Sequence, residues 1–241
     1  MSRLAQRLAS PVVTTLFGID RGLDALPRGL HDEAIWIPTA AVEHHIGAHV
    51  YYKMPKRLVQ NGDWDVDHSR EIATNPPVQQ EAVEEFIVRK IPLHETARYQ
   101  RLRRKIEIEG HARGIDSDED LEEGYFQRLV DIYQNIRDNG IKSRRELLKQ
   151  GVSDGSNILV LLDRQGSPVL LGGKHRFAIC GILAIPEIPV QVVGVHRVWA
   201  RSCVERLGGS PWSAVLEGIQ AVATTKKRDG IQGGSASKSV L

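Results

Sequence analysis

The sequence predicts an α/β (α+β) protein, a mixed sheet with flanking helices, and three observations carry that prediction. Ile158–Leu162 is an apolar run and Ile188–Val193 a β-branched, apolar one, both of strand length. Between them, Asp163-Arg164-Gln165-Gly166 supplies turn chemistry, and Ser167–Leu171 returns as a second strand. Before them, Tyr125, Leu129, Ile132 or Tyr133, and Ile136 recur at helical spacing, closed by Asn139-Gly140.

Taken in order, Leu4, Leu8 and Val12 line one face of a short helix, and Ala34–Pro38 is a brief strand. In Val42–Lys53, His45 and His49 are four apart, which on a helix aims both at one metal. Gly47 interrupts that helix and Val50-Tyr51-Tyr52 prefers strand, so polar packing is the expectation there and any metal ligands stay unknown. Asn61-Gly62 is a turn, followed by Asp63-Trp64-Asp65. Trp64 reads as a core anchor with capping aspartates. The alternative has Asp63 or Asp65 holding Mg²⁺ or a substrate hydroxyl.

Val83, Phe86 and Ile87 keep helical spacing until Ile91-Pro92 breaks it. A second helix from near Leu93 places Tyr99, Leu102 and Ile106 on one face and Arg98, Arg101 and Lys105 on another, expected to be solvated. Glu95 falls in its first turn as a further candidate general base. In Asp116–Glu123, Ser117 with Asp120 three later resembles a capping box rather than a calcium loop. Ser143–Gln150 is a short helix before a glycine and serine loop at 151–156.

Pro168 belongs at an edge or a strand start, and Gly172-Gly173 turns the chain sharply. The helix from Lys174 carries Phe177, Cys180 and Leu183 or Ala184 on one face, with Pro186 marking its end. Ser210-Pro211 caps a helix over Trp212–Ala223, and Thr224–Leu241 reads as a disordered tail.

The chemistry concentrates at that glycine pair. A helix opening after two glycines presents unpaired amides and the positive end of its dipole. Lys174, His175 and Arg176 add donors in the same first turn, so a phosphate is the expected partner.

The order hairpin, Gly173-Lys174-His175-Arg176, Phe177-Ala178, then Ile188-Pro189-Val190 resembles the nucleotide-binding core of ParB-type proteins, sulfiredoxins and free-serine kinases. Tyr125–Asn139 with Gly140-Ile141 fits the same pattern, and the likeness spans Leu121 to Trp199. Gly62-Asp63-Trp64-Asp65 ahead of this core, and His196-x-x-Trp199 after it, look like a bacterial ParB-like subgroup.

The resemblance implies a ParB/sulfiredoxin-like mixed sheet over 91–200, with a largely helical extension at 1–90 and a helix and tail at 201–241. It also implies ATP or CTP with Mg²⁺ bound at Gly172, Gly173, Lys174, His175 and Arg176, with His196 and Trp199 as auxiliary residues. Asp63, Asp65 and Glu95 are then the candidate carboxylates for phosphotransfer to a small hydroxyl compound, as in the serine kinases. The alternative is a nucleotide-dependent DNA-binding regulator or a non-catalytic sensor. About 40 residues with one expected helix follow Trp199, too little for the helix-turn-helix region of ParB proteins, so DNA is disfavoured. Sulfiredoxin activity is excluded because Lys174 stands where the catalytic cysteine would be.

A net charge of +2 with 26% charged residues declares no nucleic-acid or membrane partner. Two cysteines, Cys180 and Cys203, make no disulfide framework, and Cys180 is expected buried and reduced. Met1–Pro11 lacks the apolar core of a secretory signal, and no apolar run reaches membrane-spanning length. A cytoplasmic setting is the expectation.

Overall fold

The computed structural model describes residues 11–28, 33–112, 114–151 and 157–232. Its first part runs α1 (Pro11–Asp24), β1 (Ile35–Pro38), β2 (His44–His45), α2 (Ala48–Lys53), β3 (Val59–Gln60), α3 (Trp64–Asp67), β4 (Arg70–Glu71) and α4 (Val78–Val83). It continues with α5 (Ala97–Glu109), α6 (Gln127–Asn139), α7 (Arg144–Lys149), β5 (Ile158–Leu162), β6 (Pro168–Gly172), α8 (Lys174–Ile182), β7 (Glu187–His196), α9 (Arg197–Leu207) and α10 (Pro211–Gln232). A mixed sheet with helices results, the class the sequence predicts.

Strand β5 sits inside the sheet, antiparallel to β6 and parallel to β7. Beyond β6, β2 pairs parallel and β4 closes that side antiparallel to β2. The other edge of β7 is shared, β1 lying antiparallel along its start and β3 parallel along its end. Both faces are covered, which is why β5 and β6 read as unbroken apolar runs rather than alternating ones. Ile158, Val160 and Leu162, with Ile188, Val190 and Val192, enter the larger core under the helices. Leu161, Val169 and Leu171 enter a smaller one with Ile46 and Trp64, flanked by Val50, Tyr51 and Met54.

The hairpin turn works as its residues predict. The Asp163 carboxylate accepts from the amides of Gln165 (2.9 Å) and Ser167 (2.7 Å), and Gly166 takes the left-handed conformation at φ 85°. Pro168 is the first residue of β6, which is an interior strand and not an edge. In α8, Phe177 and Cys180 are buried as expected, and burial raises the Cys180 thiol to about 12, so it is an unreactive free thiol. Cys203 is also free and buried.

Several expectations are refined. The extension is mostly helical, but it also contributes β1, β2, β3 and β4 to the same sheet. Its Leu23, Ile37, Leu58 and Val83 join one core with Phe177 and Val190. Strands of two residues carry no periodicity for a sequence to reveal. Near α4, the helix continues as a π-helical turn over Glu84–Val88. Glu95 ends a 3₁₀ turn ahead of α5, whose true N-cap is Thr96, accepting from the Tyr99 amide at 3.2 Å. Arg98, expected on a solvated face, is buried.

Past β7 two helices follow, not one. His196 caps α9, its Nδ1 accepting from the Val198 amide at 3.1 Å, and Trp199, Ala200, Cys203 and Val204 form its buried face. Helix α10 runs on to Gln232, beyond the Thr224 start expected for a disordered tail. Residues 233–241, Leu4 and Leu8, and the loop at 152–156 lie outside the described residues. No described helix is long and apolar enough to cross a membrane.

The tightest backbone approach is at Gly173. Its φ is 67°, and a Cβ there would lie 2.7 Å from the Asn157 carbonyl oxygen and 2.8 Å from the Ile158 Cα. Gly173→Ala therefore meets both a left-handed penalty and a clash with fixed backbone of β5. It should lower unfolding stability by about 2–4 kcal/mol, read from urea midpoints; an unchanged midpoint would contradict this packing.

Candidate functional site

The first turn of α8 stands where β6 ends and beside the end of β2, the place where α/β sheets commonly receive ligands. Gly173 is its N-cap residue, with no side chain over the opening. Lys174 reaches sideways toward β2. Its Nζ donates to the Ile46 carbonyl at 2.8 Å and lies 3.4 Å from His45 Nδ1. His45 Nε2 lies 2.8 Å from the Asn75 carbonyl oxygen, so the proton sits on Nε2 and Nδ1 faces the ammonium. Burial lowers the pKa of His45, opposed by the Asn75 carbonyl and reinforced by the Lys174 charge.

His175 points the other way, toward the helices. Its Nε2 is 2.8 Å from the Tyr125 hydroxyl, which also accepts from Arg98 Nε at 3.2 Å. An oxygen already accepting from a guanidinium is a better donor, so Tyr125 donates to Nε2 and the ring proton sits on Nδ1. Arg176 departs from expectation. It turns inward, buried, and donates to the Lys142 carbonyl; desolvation lowers its pKa. The reason is helical phase: Arg176 sits next to Phe177 on the side of α8 that packs on the core, so Arg176 is a structural tie and not a phosphate donor.

Asp63 and Asp65 occupy the other end of the sheet. The Asp65 carboxylate is buried, with a side chain 3% exposed. It accepts from Arg164 three times: from the amide (3.1 Å), from Nε (2.8 Å) and from a terminal nitrogen (2.8 Å). Asp63 accepts from the same guanidinium at 2.7 Å and makes no side-chain cap to α3. Trp64 is buried, as the anchor reading expects, and its ring lies 5.9 Å from that of His196.

Arg164 belongs to the β5–β6 turn and Gly173 to the far end of β6. The length of that strand, roughly 15 Å at 3.3 Å per residue, separates the two. Neither aspartate converges on the first turn of α8, which corrects the expectation that they face a bound nucleotide.

His196 Nε2 donates to the Gly62 carbonyl at 2.9 Å and lies 3.8 Å from Asp65, while Nδ1 caps α9. With both nitrogens engaged, the ring is fixed in place. Trp199 packs on the hairpin Gly166 and on Gly218 of α10. Both auxiliary residues therefore serve the Asp65–Arg164 end. A cavity of about 440 Å³ lies there, lined by Asp24, Asn61, Asp63, Arg164, Arg197 and Arg201 among others. Its cations are matched by anions: Arg197 bonds Asp20 (3.0 Å) and Asp24, and Arg201 bonds Asp20 (2.9 Å).

Glu95 is exposed in the turn before α5, on the same segment as Arg98. His45 and His49 fall on β2 and α2 and share no helix face. Among the described residues no group of three or more His, Cys, Asp or Glu could hold a metal. The sequence reading did not single out Tyr125 and Arg98 as site residues. Tyr125 has the spacing of a packing residue, and Arg98 shares its spacing with Arg101 and Lys105, which marks a solvated face although Arg98 is buried beside Tyr99.

No family model matches the chain, and neither a curated protein nor a solved structure gives a match.

For Asp65, burial alone would raise the pKa, but the bonds from Arg164 and the nearby His196 together hold it below the usual range. A depressed carboxylate contributes stability that is complete above its unfolded pKa, near 3.8, and lost as pH falls toward the folded value. Asp65→Asn should therefore be less stable than wild type at pH 7, with the difference shrinking below about pH 4. Thermal melts from pH 2 to 7 check this; a pH-independent difference would contradict it.

Proposed function

We propose that this protein binds a nucleotide, ATP or CTP with Mg²⁺, through its phosphates at the first turn of α8, with Lys174 and His175 as side-chain donors. The observation that carries the reading is the open turn at Gly173, pinned against β5 and flanked by Lys174 on one side and by the Arg98–Tyr125–His175 chain on the other. Phosphates favour such a place because oriented amides and a helix dipole stabilise negative charge without reorganisation. Mg²⁺ would arrive on the nucleotide, held chiefly by phosphate oxygens and water. The likeness of Gly173-Lys174-His175-Arg176 to ParB-like cores supports the same reading.

Binding is favoured over phosphotransfer by a specific observation. Two of the three candidate carboxylates, Asp63 and Asp65, are committed to Arg164 at the far end of the sheet. They cannot orient an acceptor hydroxyl there, since a general base must lie within hydrogen-bond reach of the proton it takes. Glu95, in the turn before α5, is the remaining candidate. Nucleotide sensing or ligand-dependent association fits this arrangement better than a kinase.

Calorimetry with ATP and CTP in the presence of Mg²⁺ tests the proposal. Lys174→Ala and His175→Ala should each weaken binding by about 1.5–3 kcal/mol, the range for hydrogen bonds to charged groups. Arg176→Met should instead lower the melting temperature and leave affinity within about threefold, because its partner is the Lys142 carbonyl. Absence of binding by the wild type, or unchanged affinity in both Lys174→Ala and His175→Ala, would refute it.

A further inference from the structure

We propose that Arg98, from the first turn of α5, is a direct ligand of the phosphate group held at α8 and makes the site selective for a dianionic phosphate. The inference rests on the reading above. Its own observation is a charge without a counter-charge. The Arg98 side chain belongs to a residue only 8% exposed, and among the described residues no carboxylate pairs with it. Its Nε donates to the neutral Tyr125 hydroxyl, and the guanidinium carbon lies 5.7 Å from the centre of the same ring.

A buried cation that answers only to a hydroxyl and a ring face is expensive. Arg164, Arg197 and Arg201, by contrast, are each matched by aspartates. Acids do reach the residues on either side of Arg98. Glu122 accepts from the Tyr99 hydroxyl at 3.0 Å and Glu85 from the Ala97 amide at 2.8 Å, so these carboxylates are spent on other donors.

The missing anion has a defined place. Arg98 and His175 touch the same hydroxyl, and His175 is the second residue of α8. A group seated on the first turn of α8 and reaching Arg98 would receive helix amides, the His175 ring and a guanidinium fork. That combination suits the several oxygens of a phosphate better than one carboxylate. Tyr125 bridges the Arg98 guanidinium and the His175 ring in the free protein.

The test uses Mg-ATP and inorganic pyrophosphate as probes on the full chain, with affinity by calorimetry and melting temperature in the absence of ligand. Arg98→Met should melt at or above the wild-type temperature, since it removes an unpaired buried charge. It should bind both probes about ten- to a hundredfold more weakly. The loss should be equal for the two, because the contact is to phosphate and not to base or sugar. Should Arg98→Met fail to fold, Arg98→Lys keeps the charge without the fork and should lose about tenfold. Unchanged affinity in the folded variant, with a lowered melting temperature, would overturn the assignment and leave Arg98 a structural residue. If Lys174→Ala loses binding while both Arg98 variants keep it, the Arg98 inference alone falls. If the wild type binds neither probe, the nucleotide reading falls and takes Arg98 with it.

Discussion

The five residues of β5 hold the molecule's two polar ends in place and apart. At its start, the Asn157 carbonyl and Ile158 Cα press against Gly173 so closely that no side chain fits there. At its end, the turn into β6 delivers Arg164 to Asp65. Because β5 is flanked by β6 and β7 and buried on both faces, neither end can shift without disturbing a core. The position of the first turn of α8 and the remoteness of Asp63 and Asp65 from it are therefore one fact seen from two ends.

Much of this could be read from residue order. The runs at Ile158–Leu162 and Ile188–Val193, the Asp163–Gly166 turn and the glycine pair predict β5 residue for residue, β6 within one residue and the start of α8, because each is specified by local chemistry, while β7 runs on past Val193 to His196. Ser117 also accepts from the Asp120 amide as its spacing suggests. What could not be read depends on partners distant in sequence. Strands β2, β3 and β4 exist only because β6 and β7 offer them edges. A histidine is an unusual N-cap, so α9 lacked a start signal despite the helical spacing of Trp199, Ala200, Cys203 and Val204.

The candidate site divided along the same line. Gly173 follows from backbone necessity, and Lys174 and His175 lie in the turn it opens. Arg176 had the right charge and the wrong phase, because its place beside Phe177 carries it into the interior. Asp63 and Asp65 looked available for chemistry since a sequence does not show that Arg164, about a hundred residues away, would claim both. Arg98 is the reverse case, a residue that reads as one of several surface cations until its burial is seen.

Electrostatics distinguishes the two ends more sharply than shape does. Around the 440 Å³ cavity, Asp20, Asp24, Asp63 and Asp65 answer Arg57, Arg164, Arg197 and Arg201, a balanced network that locks α1, α3, α9 and the hairpin together. Such a network has little to gain from an added ion of either sign, since a new partner must displace an existing one. At α8 the buried Arg98 meets a hydroxyl, and the helix adds the positive end of its dipole. Burying a guanidinium is tolerable when an anion arrives to share the low-dielectric site, and the attraction that anion feels is greater for the same reason. That cavity therefore says less about ligand binding than the charge of Arg98 does, which is why the proposed phosphate site lies at the Gly173 end of the sheet.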